Sequence, residues 1–269
     1  EYSKVSQSTW NSIVNASYDS NGDATVGKTK YRRIKMDDAT FACSDDEGCY
    51  NWTDPTTYHY FKYEPIKWRV LKINGKDAFL LADKALDDQM YNIAYGSAPN
   101  ISITWEKSTV RSWLNETFLN SAFTSSERSA IESTDVVNDN NIFYGTTGGN
   151  DTSDKVFFLS ENEVYNSDVA SSYGFAKDRY TSDEGRRCKS STFAKAMGVY
   201  SDANSSDAGN CWWWLRSPGN TSDYAVYVDT NGGVHYFDVP VNFVNFAVRP
   251  ALHLDLSSSD LYSYAGTVS

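Results

Sequence analysis

Four cysteines, three histidines and an excess of acids are the residues of this chain that could do chemistry. Cys43 and Cys49 bracket an acidic loop, whereas Cys188 precedes and Cys211 opens the run CWWWLRSPG, residues 211–219. Four cysteines allow three pairings. Pairing of near neighbours, 43 with 49 and 188 with 211, is expected, and it implies an oxidising, extracellular compartment. The opposing reading is four free thiols in a reducing one. A zinc site is not expected, because no C-x2-C spacing occurs and His59, His235 and His253 are isolated. Asp19-Ser-Asn-Gly-Asp23 opens like a calcium loop, but its twelfth position is Lys30, where a bidentate carboxylate is needed. A turn before the strand KYRRIKM is the simpler reading. No G-x-S-x-G elbow is present, and Arg216-Ser217-Pro218 reads as the edge of a turn. Paired carboxylates for glycoside hydrolysis are not excluded, since among 35 acids some pair is always close. No catalytic set stands out, so a non-enzymatic protein with no cofactor and no metal is expected.

Composition narrows the partners. A formal net charge of −11 repels phosphate backbones, and the 24 Lys and Arg are scattered, which argues against nucleic acid. No stretch approaches the roughly 20 apolar residues of a membrane span. The chain begins at Glu1, so a mature or trimmed form is expected, its export signal removed. Nineteen Tyr and eight Trp favour a core that borders a recognition surface, because each joins an apolar body to a polar tip.

Several elements follow from pattern. Ile66, Trp68 and Val70 alternate with charged residues, and Asn74-Gly75 is a hairpin signal, which predicts strands over 66–73 and 76–83. Val110, Trp113, Leu114 and Phe118 fall at helical spacing behind Ser108 as a cap. Thr124-x-x-Glu127 and Ser160-x-x-Glu163 are capping boxes, and a helix from Ser191 should stop at Gly198. Residues 135–154, 166–187 and 200–210 read as loops, and KVFFL as a buried strand. WWWLR, DYAVYV and VHYFDV read as strands joined by Ser217-Pro-Gly-Asn and Asn231-Gly-Gly turns, with the tryptophans filling the core. NFAVRPALHLDL closes the sheet, Pro250 being confined to an edge or a strand break. Arg216 and Arg249 are expected to stack on aromatic rings or pair with carboxylates as structural groups. The whole is an α+β chain with no repeat and no clear interdomain linker.

YFKYEPIKWRVL, TWEKSTVRSWLN, KVFFLSENEV, WWWLRSPG and AVRPALHL together resemble an uncharacterised family of secreted bacterial proteins, a domain of unknown function common in gut clostridia, over about Lys30 to Asp255. The terminal strands, from the Trp-rich strand ending in Arg-Ser to the VRP strand, are also similar to the end of C-type-lectin-like domains. That group includes the formylglycine-generating enzymes. The second resemblance implies a C-type-lectin-like fold: a twisted antiparallel sheet with a few short helices and long loops. The absence of a repeat or a clear linker gives one domain with an N-terminal extension (1–58) packed on it; the main domain, 59–256, is the C-type-lectin-like part, and 257–269 form a tail. The second resemblance also places a ligand face on loops 217–224, 229–233 and 237–245. The contact residues expected there are Asn220, Asp223, Tyr224, Tyr227, Asn231, His235, Tyr236, Asp238, Asn242, Phe243, Asn245 and Phe246. The function expected is non-catalytic recognition of a glycan or protein ligand, secreted or at the cell surface. Two alternatives stand beside it: an enzyme on a formylglycine-generating-like scaffold, and a purely structural domain of a larger, surface-anchored protein. The Glu-Pro-Asn and Trp-Asn-Asp motifs of calcium-dependent lectins are missing.

Overall fold

The computed structural model of the protein describes residues 5–42, 48–94, 102–165, 168–180, 182–203 and 205–266. Helix α1 (Gln7–Val14) starts at Ser6, whose hydroxyl accepts from the Thr9 amide. Strands β1 (Asp23–Val26), β2 (Thr29–Ile34) and β3 (His59–Lys62) form an antiparallel sheet in the order β1-β2-β3. Because β3 pairs with β2, this sheet runs past residue 58 into the part assigned above to the main domain. The Asp19 carboxylate accepts from the amides of Asn21 and Asp23, a local turn. The Asp23 carboxylate is taken by Arg32, Lys30 and Tyr63. The turn reading holds, and Asp23 is already committed to cations of the chain itself.

Strands β4 (Trp68–Asn74) and β5 (Asp77–Ala82) form the expected hairpin, displaced by one residue. Asn74 pairs with Asp77, so Gly75-Lys76 make the turn and Gly75 alone takes a positive φ, 62°. Asn74 therefore ends the strand instead of entering the turn. Two short strands follow, β6 (Lys84–Ala85) and β7 (Asp87–Asp88). Helix α2 (Thr109–Trp113) is capped by Ser108, passes through a π-helical turn at Leu114–Phe118, and continues as α3 (Leu119–Ala122). Val110, Leu114 and Phe118 are buried, as their spacing requires. Both capping boxes form: Thr124 with Glu127 opens α4 (Ser125–Ala130), and Ser160 with Glu163 opens α5 (Glu161–Val164). The 135–154 segment is a hairpin of β8 (Thr134–Val136) and β9 (Thr152–Asp154) around a loop.

KVFFL is buried but is not a strand of a ladder. Phe157 makes a single bridge to Ala251, while the Leu159 and Phe158 carbonyls accept from the Arg216 amide and guanidinium. A segment wedged between two sheets gives its backbone to both and extends neither. Within the expected loop 166–187 lies a short helix, α6 (Asp168–Ser172). Strand β10 (Lys189–Ser190) pairs in parallel with β6, and α7 (Thr192–Met197) ends at Gly198, φ 126°.

The C-terminal third builds the five-stranded sheet, order β13-β12-β11-β14-β7, from β11 (Trp213–Pro218), β12 (Tyr224–Val228), β13 (Val234–Pro240) and β14 (Ala247–Val248). Its strands are antiparallel except β11 and β14, which run parallel. Ser217 and Pro218 belong to β11, not to a turn; Pro218 pairs with Ala225 across a bulge, so the chain reverses at 219–223. Arg249-Pro250 breaks the chain between β14 and β15 (Ala251–Asp255), and β15 joins the other sheet beside β5. The result is a mixed α+β fold of several small sheets and short helices. One hydrophobic core runs from Leu81 and Leu114 through Phe158 to Trp213, Trp214 and Leu252, and the buried Ile13, Ala24, Tyr31 and Ile34 of the N-terminal sheet and α1 lie outside it.

Candidate functional site

The two faces of the terminal sheet differ in kind. One is sealed by arginines. The Arg249 guanidinium lies 4.8 Å from the Trp213 ring and donates to the carbonyls of Ala82 (3.0 Å) and Arg186 (2.9 Å). Arg186, also fully buried, donates to the Gly232, Val164, Ala176 and Asp178 carbonyls and so ties the 174–187 segment to the sheet. Arg216 donates to the Phe158 and Val137 carbonyls and pairs with Glu163. Arg216 and Arg249 thus have the structural roles expected of them. Arg186 carries as much of the framework, and no local pattern marks it. Burial lowers the pKa of Arg249.

Cys188 and Cys211 lie against this sealed face. The expected disulfide between them is not formed: both are free thiols, 1% and 0% exposed. The Cys211 amide and sulfur both donate to the Cys188 carbonyl. Burial pushes the Cys188 thiol up, but the bond from Cys211 and the Arg249 charge outweigh it and bring it to about 7. Burial raises Cys211. Cys49 is disulfide-bonded; Cys43, its expected partner, lies outside the described residues.

The opposite face is aromatic and partly open. Trp214 is buried and donates its indole N–H to the Gln89 carbonyl. Phe246 stacks over it with ring centroids 4.3 Å apart. Around Phe246 stand Trp212 (5.4 Å), Tyr227 (4.9 Å, edge-on) and Phe243 (6.0 Å, edge-on). Tyr200 stacks on Trp212 at 4.5 Å and His235 on Tyr227 at 4.9 Å. His235 is held by Asp229, 2.8 Å from Nε2 to Oδ2. Phe246 is buried, Phe243 is 47% exposed, and the others are half-buried. The fan is therefore rooted in the core and ends in solvent.

The loop that carries Phe243 is held in an uncommon backbone state. Asn245 is the one described non-glycine residue with a positive φ, 77°. Its amide donates to the Asp88 carboxylate (3.3 Å), its carbonyl accepts from the Tyr200 amide (3.2 Å), and its buried Oδ1 has no hydrogen-bond partner. Beneath it, β7 places Asp87 and Asp88 side by side, 8% and 0% exposed. Burial raises Asp87 to about 7 and Asp88 well above the usual carboxylate range, the latter helped by its neighbour's charge. Among the described residues no group of three or more His, Cys, Asp and Glu could hold a metal ion.

The expected contact residues are spread along the whole length of β12. Tyr227, His235, Asn242, Phe243, Asn245 and Phe246 belong to the aromatic face or its loop. Asn220, Asp223 and Tyr224 lie at the start of β12, the end at which the loop carrying Asn242 and Phe243 leaves β13: Tyr224 pairs with Pro240, and the Asp223 carbonyl accepts from the Val241 amide. Four strand steps separate Tyr224 from Val228, about 13 Å, and Asn231 lies beyond that end, its carbonyl engaged by Asp183, Ser182 and Arg187. The backbones of Tyr236 and Asp238 run in β13, and their side chains lie outside the described residues. Trp212 and Tyr200 were missed. Trp212 precedes two buried tryptophans, and alternation along an extended chain is the signal that separates it from Trp213. Also unmarked in the sequence is a concavity of about 430 Å³ lined by Phe143, Tyr165 and residues 177–180. There the Arg179 guanidinium lies 4.0 Å from the Phe143 ring and 4.4 Å from the Tyr180 ring.

An α+β domain with an aromatic fan at the edge of its terminal sheet is the class these observations define. The family model for a domain of unknown function, DUF6273, matches residues 75–256, and the chain belongs to that family. No curated protein and no solved structure matches the chain. The match begins at the turn of the β4–β5 hairpin, so the N-terminal sheet lies outside it.

Proposed function

We propose that this is a non-catalytic recognition domain, secreted or displayed at a cell surface, that binds a glycan or protein ligand through the aromatic face of its C-terminal sheet. The observation that carries the reading is the fan around Phe246. Half-open rings of Trp212, Tyr200, Tyr227, His235 and Phe243 share one anchored base, which fixes them at little conformational cost on binding. Such rings stack on sugar faces or on side chains of a partner, and Asn242 and Asp229 beside them supply directional hydrogen bonds. The left-handed Asn245 supports the reading, since uncommon backbone states gather at functional loops. The bonded Cys49 supports an oxidising, extracellular setting. The C-type-lectin-like relationship belongs to the same proposal, supported by a terminal sheet with a half-open aromatic face and an irregular loop that carries Phe243. The test is a glycan and protein array probed with the wild type and with a Trp212→Ala/Tyr227→Ala/Phe243→Ala variant of unchanged circular dichroism. A ligand lost in the variant supports the proposal; an array on which both proteins bind alike, or neither binds, contradicts it.

A further inference from the structure

We propose that a second concavity, walled by β6, β10, the start of α7 and residues 201–203, is an oxyanion site for the sulfate ester or phosphate monoester group of a larger ligand. Its volume is about 280 Å³, ample for one tetrahedral anion with part of its carrier. Three lysines line it: Lys84, Lys189 and Lys195. In a chain of net charge −11, three ammonium groups without an ion-pair partner among the described residues converge on this one concavity.

The arrangement also carries a cost that a bound anion would offset. Lys84 and Lys189 are register partners across the parallel pair β6–β10, both exposed. Like charges directly opposite on neighbouring strands destabilise a sheet. The Lys189 side chain runs along Gly209, another wall residue, its Cδ 3.9 Å from where a Cβ would stand there, so it lies on the cavity side. The lining adds hydroxyl donors. Thr192 Oγ1 makes no hydrogen bond among the described residues, and Ser190 and Ser201 bond to each other, leaving one of their two protons to donate onward. Asp202 is the one carboxylate in the wall, and its Oδ2 accepts from the Thr230 hydroxyl. Point charges on flexible stems together with hydroxyls, and no arginine fork, suit a tetrahedral oxyanion better than a planar carboxylate.

The experiment measures melting temperature against low millimolar inorganic sulfate, inorganic phosphate, or chloride at matched ionic strength. It uses the wild type, Lys84→Gln, and Lys84→Gln/Lys189→Gln. Sulfate and phosphate stabilise proteins in general by exclusion, and that part persists in the variants, so the difference between proteins isolates the site. The expected result is a sulfate or phosphate response beyond that of the double variant, with half-saturation weakened about fivefold by each substitution. In chloride alone, Lys84→Gln should melt at or above the wild-type temperature, because the repulsion across β6–β10 is relieved. Sulfated and phosphorylated monosaccharides then distinguish the two sources of the group. Equal anion responses in the wild type and the double variant would overturn the proposal, as would a Lys84→Gln protein destabilised in chloride. A Trp212→Ala/Phe243→Ala variant should keep the full anion response, so failure at the aromatic face and failure here are separable.

Discussion

Asp87→Asn isolates the proton that the fold holds beneath the Asn245 loop. Asp87 is buried in β7, and its carboxyl is raised from 3.8 to about 7, chiefly by burial. Between those values the folded chain keeps a proton that the unfolded chain releases. Stability from this group is therefore full below pH 4 and falls as pH rises through 7. A shift of about three units at 1.36 kcal/mol each gives a total of about 4 kcal/mol. Asp88, raised in the same sense, adds a decline of the same sign. Asp23 has the opposite sense: its pKa is lowered, because pairing with Arg32 and Lys30 outweighs its burial, and its stability is lost as pH falls. Asparagine at 87 keeps a side-chain oxygen for the Asp88 amide, which donates to Asp87 at 2.8 Å. Urea unfolding of both proteins from pH 4.5 to 8.5 cancels the groups remote from Asp87 in the difference, while Asp88 loses the part of its upward shift that the Asp87 charge supplies. The variant should gain on the wild type by about 3 kcal/mol over that range, the rest of the shift lying below pH 4.5. Parallel curves would refute the assignment of a retained proton to Asp87.

Three further outcomes are expected. Arg249→Ala should cost about 3–5 kcal/mol by thermal or urea unfolding, since it removes the guanidinium bonds to the Ala82 and Arg186 carbonyls, the latter keeping only the Trp213 indole N–H, and opens a cavity over Trp213; Arg249→Met should cost less, because an apolar chain refills that space. Thiol titration without reductant should find Cys188 and Cys211 unreactive in the native protein and both reactive after denaturation, and a count of zero would contradict the free thiols. Gly232→Ala should lower stability by about 2 kcal/mol or more, as Gly232 holds φ 88° and a Cβ would stand 2.3 Å from the Asp183 carbonyl oxygen.

What was legible in the sequence is what is decided within a few residues. Both capping boxes form because the donor and acceptor lie three positions apart, and no distant contact has to be guessed. The β4–β5 hairpin was legible for the same reason, and its one-residue displacement is the freedom that a lone glycine leaves to a turn. The burial of Trp213 and Trp214 was also legible, in their bulk and their setting. Arg186 was not, because its four carbonyl partners come from segments 8 to 46 residues away. KVFFL has the composition of a strand, yet two sheets compete for its backbone. The candidate site was half legible. Aromatic residues drew attention to Tyr227, His235 and Phe243, but their common base on Phe246 and the part played by Trp212 and Tyr200 depend on contacts between distant segments. The pairing of Lys84 with Lys189 depends on a parallel contact between strands over a hundred residues apart, which no spacing reveals.

The most direct measurement is the affinity of an array-identified ligand for four proteins: wild type, Phe243→Ala, Tyr227→Ala and, as a tyrosine of the same strand with no ring contact to Phe246, Tyr224→Ala. Binding centred on the Phe246 fan requires a loss of tenfold or more, about 1.4 kcal/mol, for Phe243→Ala and Tyr227→Ala, with Tyr224→Ala close to the wild type. A ligand that depends on Tyr224 and ignores Phe243 and Tyr227 would contradict it.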